Sequence, residues 1–236
     1  MRRAAQAPRV YFSFRSPFSW LAITRLRRDV PGFFERVELI PYWDPDGETD
    51  GALRARGAEF HYVQMSAAKH RYLLHDTKRL AARLGVPMAW PIDVDPWWEP
   101  PHLAWLVARR HGYAERFYTA VTRERWERGG NICDPDVLAR LATDVGLGAG
   151  PLVGACHDPD TRAESVECLA RAYEDDIFGI PYFRVGRHRF WGYDRVDQFL
   201  EALLPVLDQQ PAPPLPAAPP VLVSAAYDTD TAGGCG

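Results

Sequence analysis

The chain has 236 residues, 47% of them hydrophobic and 25% charged, enough for one large domain or a small domain carrying an insertion. Its net charge of −3 gives no electrostatic reason to expect nucleic acid or an anionic membrane as a partner. No segment approaches the roughly 18 uninterrupted apolar residues of a spanning helix, and the start, Met-Arg-Arg-Ala-Ala-Gln-Ala-Pro, has the basic flank of an export signal without its apolar run, so a soluble cytoplasmic protein is the expectation.

Residues 9 to 14, β-branched and aromatic, predict a strand, and Ser16-Pro17 supplies the capping hydroxyl and first-turn proline that open a helix. Phe18, Leu21, Ala22 and Leu26 follow at helical spacing until Pro31-Gly32, and 37 to 43 predicts a second strand. Strand, helix and strand of these lengths make a βαβ unit with parallel neighbours. A loop with room for a short helix is expected over 44 to 57. A helix follows over 66 to 84, with Tyr72, Leu73, Leu80, Ala81 and Leu84 on one side, and then a Pro- and Trp-bearing loop over 91 to 101.

Further helices are predicted over 102 to 111 and 114 to 127, and after the caps Asp134-Pro135 and Asp158-Pro159. The period then changes to a hairpin, 182 to 185 and 188 to 191 around Gly186-Arg187, and Val196, Phe199, Leu200, Leu203 and Leu204 mark a last helix. This order predicts an α/β fold, a thioredoxin-like mixed sheet formed by 9–44 and 178–204, with an inserted, mostly helical domain over 45–177. Residues 205–236, rich in Pro and Ala, read as a flexible tail.

A thioredoxin-type oxidoreductase carries Cys-x-x-Cys where the first strand meets the first helix; this chain has Ser16-Pro17-Phe18-Ser19. Serine forms no disulfide and is far too weak an acid to replace a thiolate, so dithiol redox chemistry at this junction is excluded. What remains is a helix N-terminus with hydroxyl donors, suited to a thiolate brought in by a second molecule. The four cysteines, 133, 156, 168 and 235, have no zinc-like spacing, and the seven histidines form no metal-binding pair, so no metal is expected.

The strand followed by Ser-Pro-Phe-Ser-Trp-Leu-Ala at 16 to 22, the Lys69-x-x-Tyr72-x-x-x-Asp76 helix and Gly130-Asn131-Ile132 ahead of a helix form an ordered set with three later features. These are the Asp158-Pro159 helix, Phe178-Gly179-Ile180-Pro181 and Phe190-Trp191-Gly192-Tyr193-Asp194-Arg195. Spanning about 9 to 204, the set resembles the 2-hydroxychromene-2-carboxylate isomerases, which with the kappa-class glutathione transferases form part of the DsbA-like branch of the thioredoxin fold.

The resemblance implies that Ser16 is catalytic, hydrogen-bonding the sulfur of glutathione or another low-molecular-weight thiol; a plain helix cap is the alternative. It implies a cis Ile180-Pro181 bond that exposes the Ile180 backbone to the thiol cofactor, and a site at Tyr193 and Asp194 for its γ-glutamyl group, although Asp194 could simply complement a helix dipole. Lys69 would approach the cofactor or be an ordinary exposed lysine. Arg15 stands where the family more often has an apolar or acidic residue, and its charge would help hold a thiolate.

For the substrate, Trp43, Trp90, Trp97, Trp98, Trp105 and Trp126 could form either an aromatic wall between insertion and sheet or simply core. His102 is an acid/base candidate at the mouth of that cleft, or a surface histidine. Together with Arg15, Trp43 and Trp90 it completes the candidate substrate residues. The expected activity is glutathione-dependent isomerisation of 2-hydroxychromene or benzylidene-pyruvate type aromatic compounds. The alternatives are a kappa-like transferase and a DsbA-like tailoring or accessory protein acting on a polycyclic aromatic product. Cys235 on the tail is a third candidate thiol source, and a homodimer is left open.

Overall fold

The computed structural model describes residues 7–61 and 65–209. Strands β1 (Arg9–Phe12) and β2 (Glu38–Pro41) are parallel and flank the connecting helices α1 (Pro17–Asp29) and α2 (Phe33–Arg36). Strands β3 (Tyr182–Val185) and β4 (His188–Trp191) form an antiparallel hairpin, and β3 pairs antiparallel with β1, giving the order β2-β1-β3-β4. This is the mixed sheet that the order of elements predicts. Central β1 is buried on both faces, which is why Val10, Tyr11 and Phe12 run without polar alternation. The two-residue turn of the hairpin has Gly186 at φ 56°, a value that glycine adopts freely.

Between the halves lie α3 (Gly47–Ala55), α4 (Ala67–Leu84), α5 (Glu99–Arg110), α6 (Ala114–Trp126), α7 (Pro135–Asp144), α8 (Ala149–Val153) with a 3₁₀ turn over Gly154–His157, and α9 (Pro159–Glu174). A further 3₁₀ turn, Tyr193–Arg195, leads into α10 (Val196–Leu207). Asp134 and Asp158 cap their helices as the sequence predicts, and Ser66 caps α4, each side chain accepting a first-turn N–H. One hydrophobic core runs continuously from the sheet through α5, α6 and α9, and Phe199 of α10 stacks on Phe183 of β3 at 4.8 Å.

Several boundaries differ from expectation for physical reasons. The first strand stops at Phe12, because the Phe14 amide hydrogen-bonds a side chain of α5 instead of a neighbouring strand. Helix α5 starts at Glu99, three residues early, since Pro100 and Pro101 fall in the first turn, where no N–H is needed. On α4 the expected apolar face is incomplete: Tyr72 is 58% exposed, and only Thr77 and Ala81 are buried. Helix α10 continues through Pro205 to Leu207, and the expected tail, with Cys235, otherwise lies outside the described residues from 210 onward. Among the described residues no helix is long and apolar enough to cross a membrane.

Candidate active site

The C-terminal end of β1 collects the chemistry. Continuing the register beyond Tyr11↔Tyr182 puts Pro181 opposite Phe12, so Ile180 and Pro181 lie at this end of the sheet. The Gly192 N–H donates to Pro181 O at 3.0 Å, which brings the Tyr193–Asp194 turn to the same end. From parallel β2 the chain leaves through Trp43 and Asp44, and Asp44 forms a salt bridge with Arg15. The Ile180-Pro181 bond is cis.

Ser16 is the N-cap of α1. Its Oγ accepts the Ser19 N–H at 3.2 Å, and its carbonyl accepts the Trp20 N–H at 3.2 Å. The hydroxyl hydrogen of Ser16 is therefore available to donate. Pro17 has no N–H, so Phe18 is left as the first-turn amide without a partner among the described residues. Ser19 is fully buried and its Oγ accepts from Ser13 N at 3.3 Å, so it braces the turn rather than facing a ligand.

His102 departs most from expectation. It is neither at the mouth of a cleft nor on the surface: it is fully buried under the Ser13–Ser16 turn and stacked on Trp43 at 5.1 Å. Its Nδ1 lies 2.6 Å from Trp98 O, a carbonyl that only accepts, so Nδ1 carries the hydrogen. Nε2 then accepts from Phe14 N–H at 3.1 Å and from the Ser13 hydroxyl at 3.2 Å. Burial, with a contribution from the Arg125 charge, pushes the imidazole down to about 3. It is a neutral brace and does not exchange protons with a ligand. Trp43, buried beside it, is core and not pocket lining.

Beside the Ser16 turn opens a cleft of about 640 Å³. Arg15 and Pro17 line it from the turn, His70, Arg71 and Leu73 from α4, Trp90 and Asp93 from the loop before α5, and Arg125 and Trp126 from the end of α6. Trp126 stacks on Trp20 of α1 at 6.0 Å and 14°, and Trp90 meets Trp126 edge-on at 5.8 Å. The aromatic surface of the cleft is thus Trp90; Trp126, 1% exposed with Trp20 and the Arg125 guanidinium against its ring, backs it from the core, Trp98 and Trp105 belong to the core, and Trp97 is 43% exposed.

Sequence reasoning missed Arg125, which is only 2% exposed. Its guanidinium lies between the Trp98 and Trp126 rings, 4.7 Å from each, and grips Asp93 through two hydrogen bonds of 2.9 and 2.8 Å. Such burial is tolerable only with a carboxylate partner and π faces on either side. The Arg-Trp pair closing a helix and an Asp in the Trp-bearing loop were visible in the sequence, but only the fold joins them.

The other expected residues occupy the rim. Lys69 is exposed on α4, next to cleft-lining His70 but outside the cleft lining itself. Tyr193 is half-buried, and its hydroxyl is raised by burial, partly offset by the Arg25 charge. Asp194 has a 72% exposed side chain bonded to Arg195 at 2.8 Å. Cys133, Cys156 and Cys168 are free thiols that burial pushes up to about 12, so none of them is a thiolate at neutral pH. Among the described residues no group of three or more His, Cys, Asp or Glu could hold a metal ion.

The DSBA-like thioredoxin domain model matches residues 9–204. A 2-hydroxychromene-2-carboxylate isomerase from Sphingobium xenophagum is 32% identical over 196 residues, 82% of this chain and 95% of that protein. The chain belongs to this isomerase family within the DSBA-like thioredoxin domains. It is accordingly an enzyme of the isomerase class. A solved 2-hydroxychromene-2-carboxylate isomerase superimposes with a TM-score of 0.67 at 20% identity, covering 86% of this chain and 96% of that one. The cytosolic disulfide reductase DsbM from Pseudomonas aeruginosa, solved with GSH, gives 0.54 at 19% identity over 82% and 96%. At these identities the solved structures speak for the fold alone.

Proposed function

We propose that this isomerase uses glutathione, or a similar small thiol, to isomerise a planar conjugated aromatic compound of the 2-hydroxychromene or benzylidene-pyruvate type. The observation that carries the reading is the Ser16 turn: a capping hydroxyl with its hydrogen left to donate and a Phe18 amide without a partner among the described residues, where redox relatives need a cysteine. Both donors favour an anion, and the helix dipole adds to them. The cysteines among the described residues, half-buried or buried, offer no thiolate, in keeping with a sulfur that arrives with a second molecule. The substrate named for the Sphingobium xenophagum relative, and the GSH in the DsbM structure, fit the same assignment.

The residues at this end of the sheet suit the thiol. Ser16 Oγ and Phe18 N–H would hold the sulfur, the Ile180 and Pro181 backbone the cysteinyl part, and the Tyr193–Asp194 turn the γ-glutamyl end, with Lys69 on the rim. A bound thiolate supplies reversible addition to a conjugated double bond, which frees rotation about it. The chain's own contribution is to keep the anion charged, to seat the flat substrate against Trp90, and to limit water in the cleft. Arg15, paired with Asp44, adds positive charge beside the serine.

Calorimetry with glutathione and an absorbance assay with 2-hydroxychromene-2-carboxylate test this, in wild type and Ser16→Ala. Thiol-dependent turnover that Ser16→Ala lowers roughly 100-fold is the expected result. Absence of glutathione binding, together with unchanged turnover in the variant, would overturn it. Accumulation of a stable thioether instead of an isomer would identify a transferase.

A further inference from the structure

The charges around the cleft are unequal. Arg15 is tied to Asp44, and Arg125 to Asp93, but Arg71, in the second turn of α4, lines the cleft with no carboxylate partner among the described residues. A guanidinium with its planar fork unengaged is a bidentate receptor for a carboxylate. In the same cleft is the half-buried indole of Trp90, backed by the buried Trp126, with His70 edge-on to Trp90 at 5.9 Å. A flat apolar ring beside an unbalanced cation selects a ligand that is itself flat and anionic.

We propose, resting on the isomerase reading above, that Arg71 is the specificity residue that anchors the carboxylate of the aromatic substrate while its ring lies against Trp90. Glutathione also carries carboxylates, but a flexible tripeptide gains little from an indole face, so the combination assigns Arg71 to the substrate. Arg71 stands at an unspecified position of the Lys69-x-x-Tyr72-x-x-x-Asp76 pattern, so the resemblance itself assigns it no role.

The test is a tryptophan-fluorescence titration of the full chain with 2-naphthoate and 2-naphthamide, without any thiol. Wild type should prefer the carboxylate by about tenfold. Arg71→Gln, an exposed substitution, should abolish that preference and leave glutathione binding by calorimetry unchanged; Trp90→Leu should weaken both probes and keep their ratio. A preference that survives Arg71→Gln, a loss that falls on glutathione instead, or no saturable naphthoate binding would each overturn the assignment. The two readings fail separately. Wild type without glutathione affinity but with an Arg71-dependent naphthoate preference would remove the thiol reading and keep the anchor. Thiol-dependent turnover with the preference intact in Arg71→Gln would do the reverse.

Discussion

Ser13 Oγ donates to His102 Nε2 across 3.2 Å and 89 residues of sequence. The same hydroxyl accepts the Arg15 N–H at 3.2 Å, so a side chain of the helical insertion sets the path of the backbone into Ser16. The pH dependence of this link follows from its chemistry. The folded-state pKa of His102 lies far below the unfolded value, so the native protein binds fewer protons at this position. Its contribution to stability is complete above about pH 6.5 and is lost as pH falls towards 3. Thermal melts should show wild type losing up to about 1.4 kcal/mol per pH unit below about 6.5. His102→Gln should melt lower at pH 7 but with a shallower slope between pH 6.5 and 4.5; parallel slopes would contradict a neutral buried imidazole.

Ser16 has two separable roles. Ser16→Ala removes the cap, worth about 1 kcal/mol of stability, and should reduce thiol-dependent turnover roughly 100-fold, the usual effect of deleting one donor to a developing or bound anion. Ser16→Thr keeps both cap and donor and should recover most of each. Equal losses for Ala and Thr would point to a steric origin.

Arg125 and Asp93 should behave as a coupled pair. Asp93→Ala leaves the guanidinium of Arg125 buried and uncompensated, and should cost about 2–4 kcal/mol, discounted for the partial exposure of the carboxylate. Adding Arg125→Leu should cost less than the sum of the two single changes. A double-mutant cycle in urea measures this, and strict additivity is the outcome that would refute the coupling.

Gly130 has no room for a methyl group. A Cβ there would lie 2.4 Å from Glu124 Oε1 and 2.9 Å from Glu124 Cγ. Glu124 is held by Arg128 at 3.2 Å and Arg140 at 3.0 Å, so it cannot simply swing aside. Gly130→Ala should destabilise the chain by about 1–3 kcal/mol, and denaturant melts would detect it.

The fold was legible because its signals are local: Ser16-Pro17, Asp134-Pro135 and Asp158-Pro159 mark helix starts through their own side chains, and the hairpin through Gly186. The Ser16 turn could be read in the same way. The histidine could not. His102 lies among apolar residues of α5, and whether such an imidazole is a brace or a proton carrier depends on three partners from 13, 14 and 98, which only the tertiary structure supplies. Arg125 was hidden for a similar reason, because a guanidinium between two indoles looks in sequence like any charge near a helix end.

The two sides of the cleft are unequally anchored. Helix α5, which holds the Ser16 turn through His102, buries ten of its twelve residues, whereas α4 buries two of eighteen. Helix α4 also supplies His70, Arg71 and Leu73 to the cleft. Low burial means a low free energy for local opening. Local opening of the cleft is therefore less costly on the α4 side than on the α5 side, and the arginine assigned to the substrate stands on the less anchored wall, opposite the serine turn.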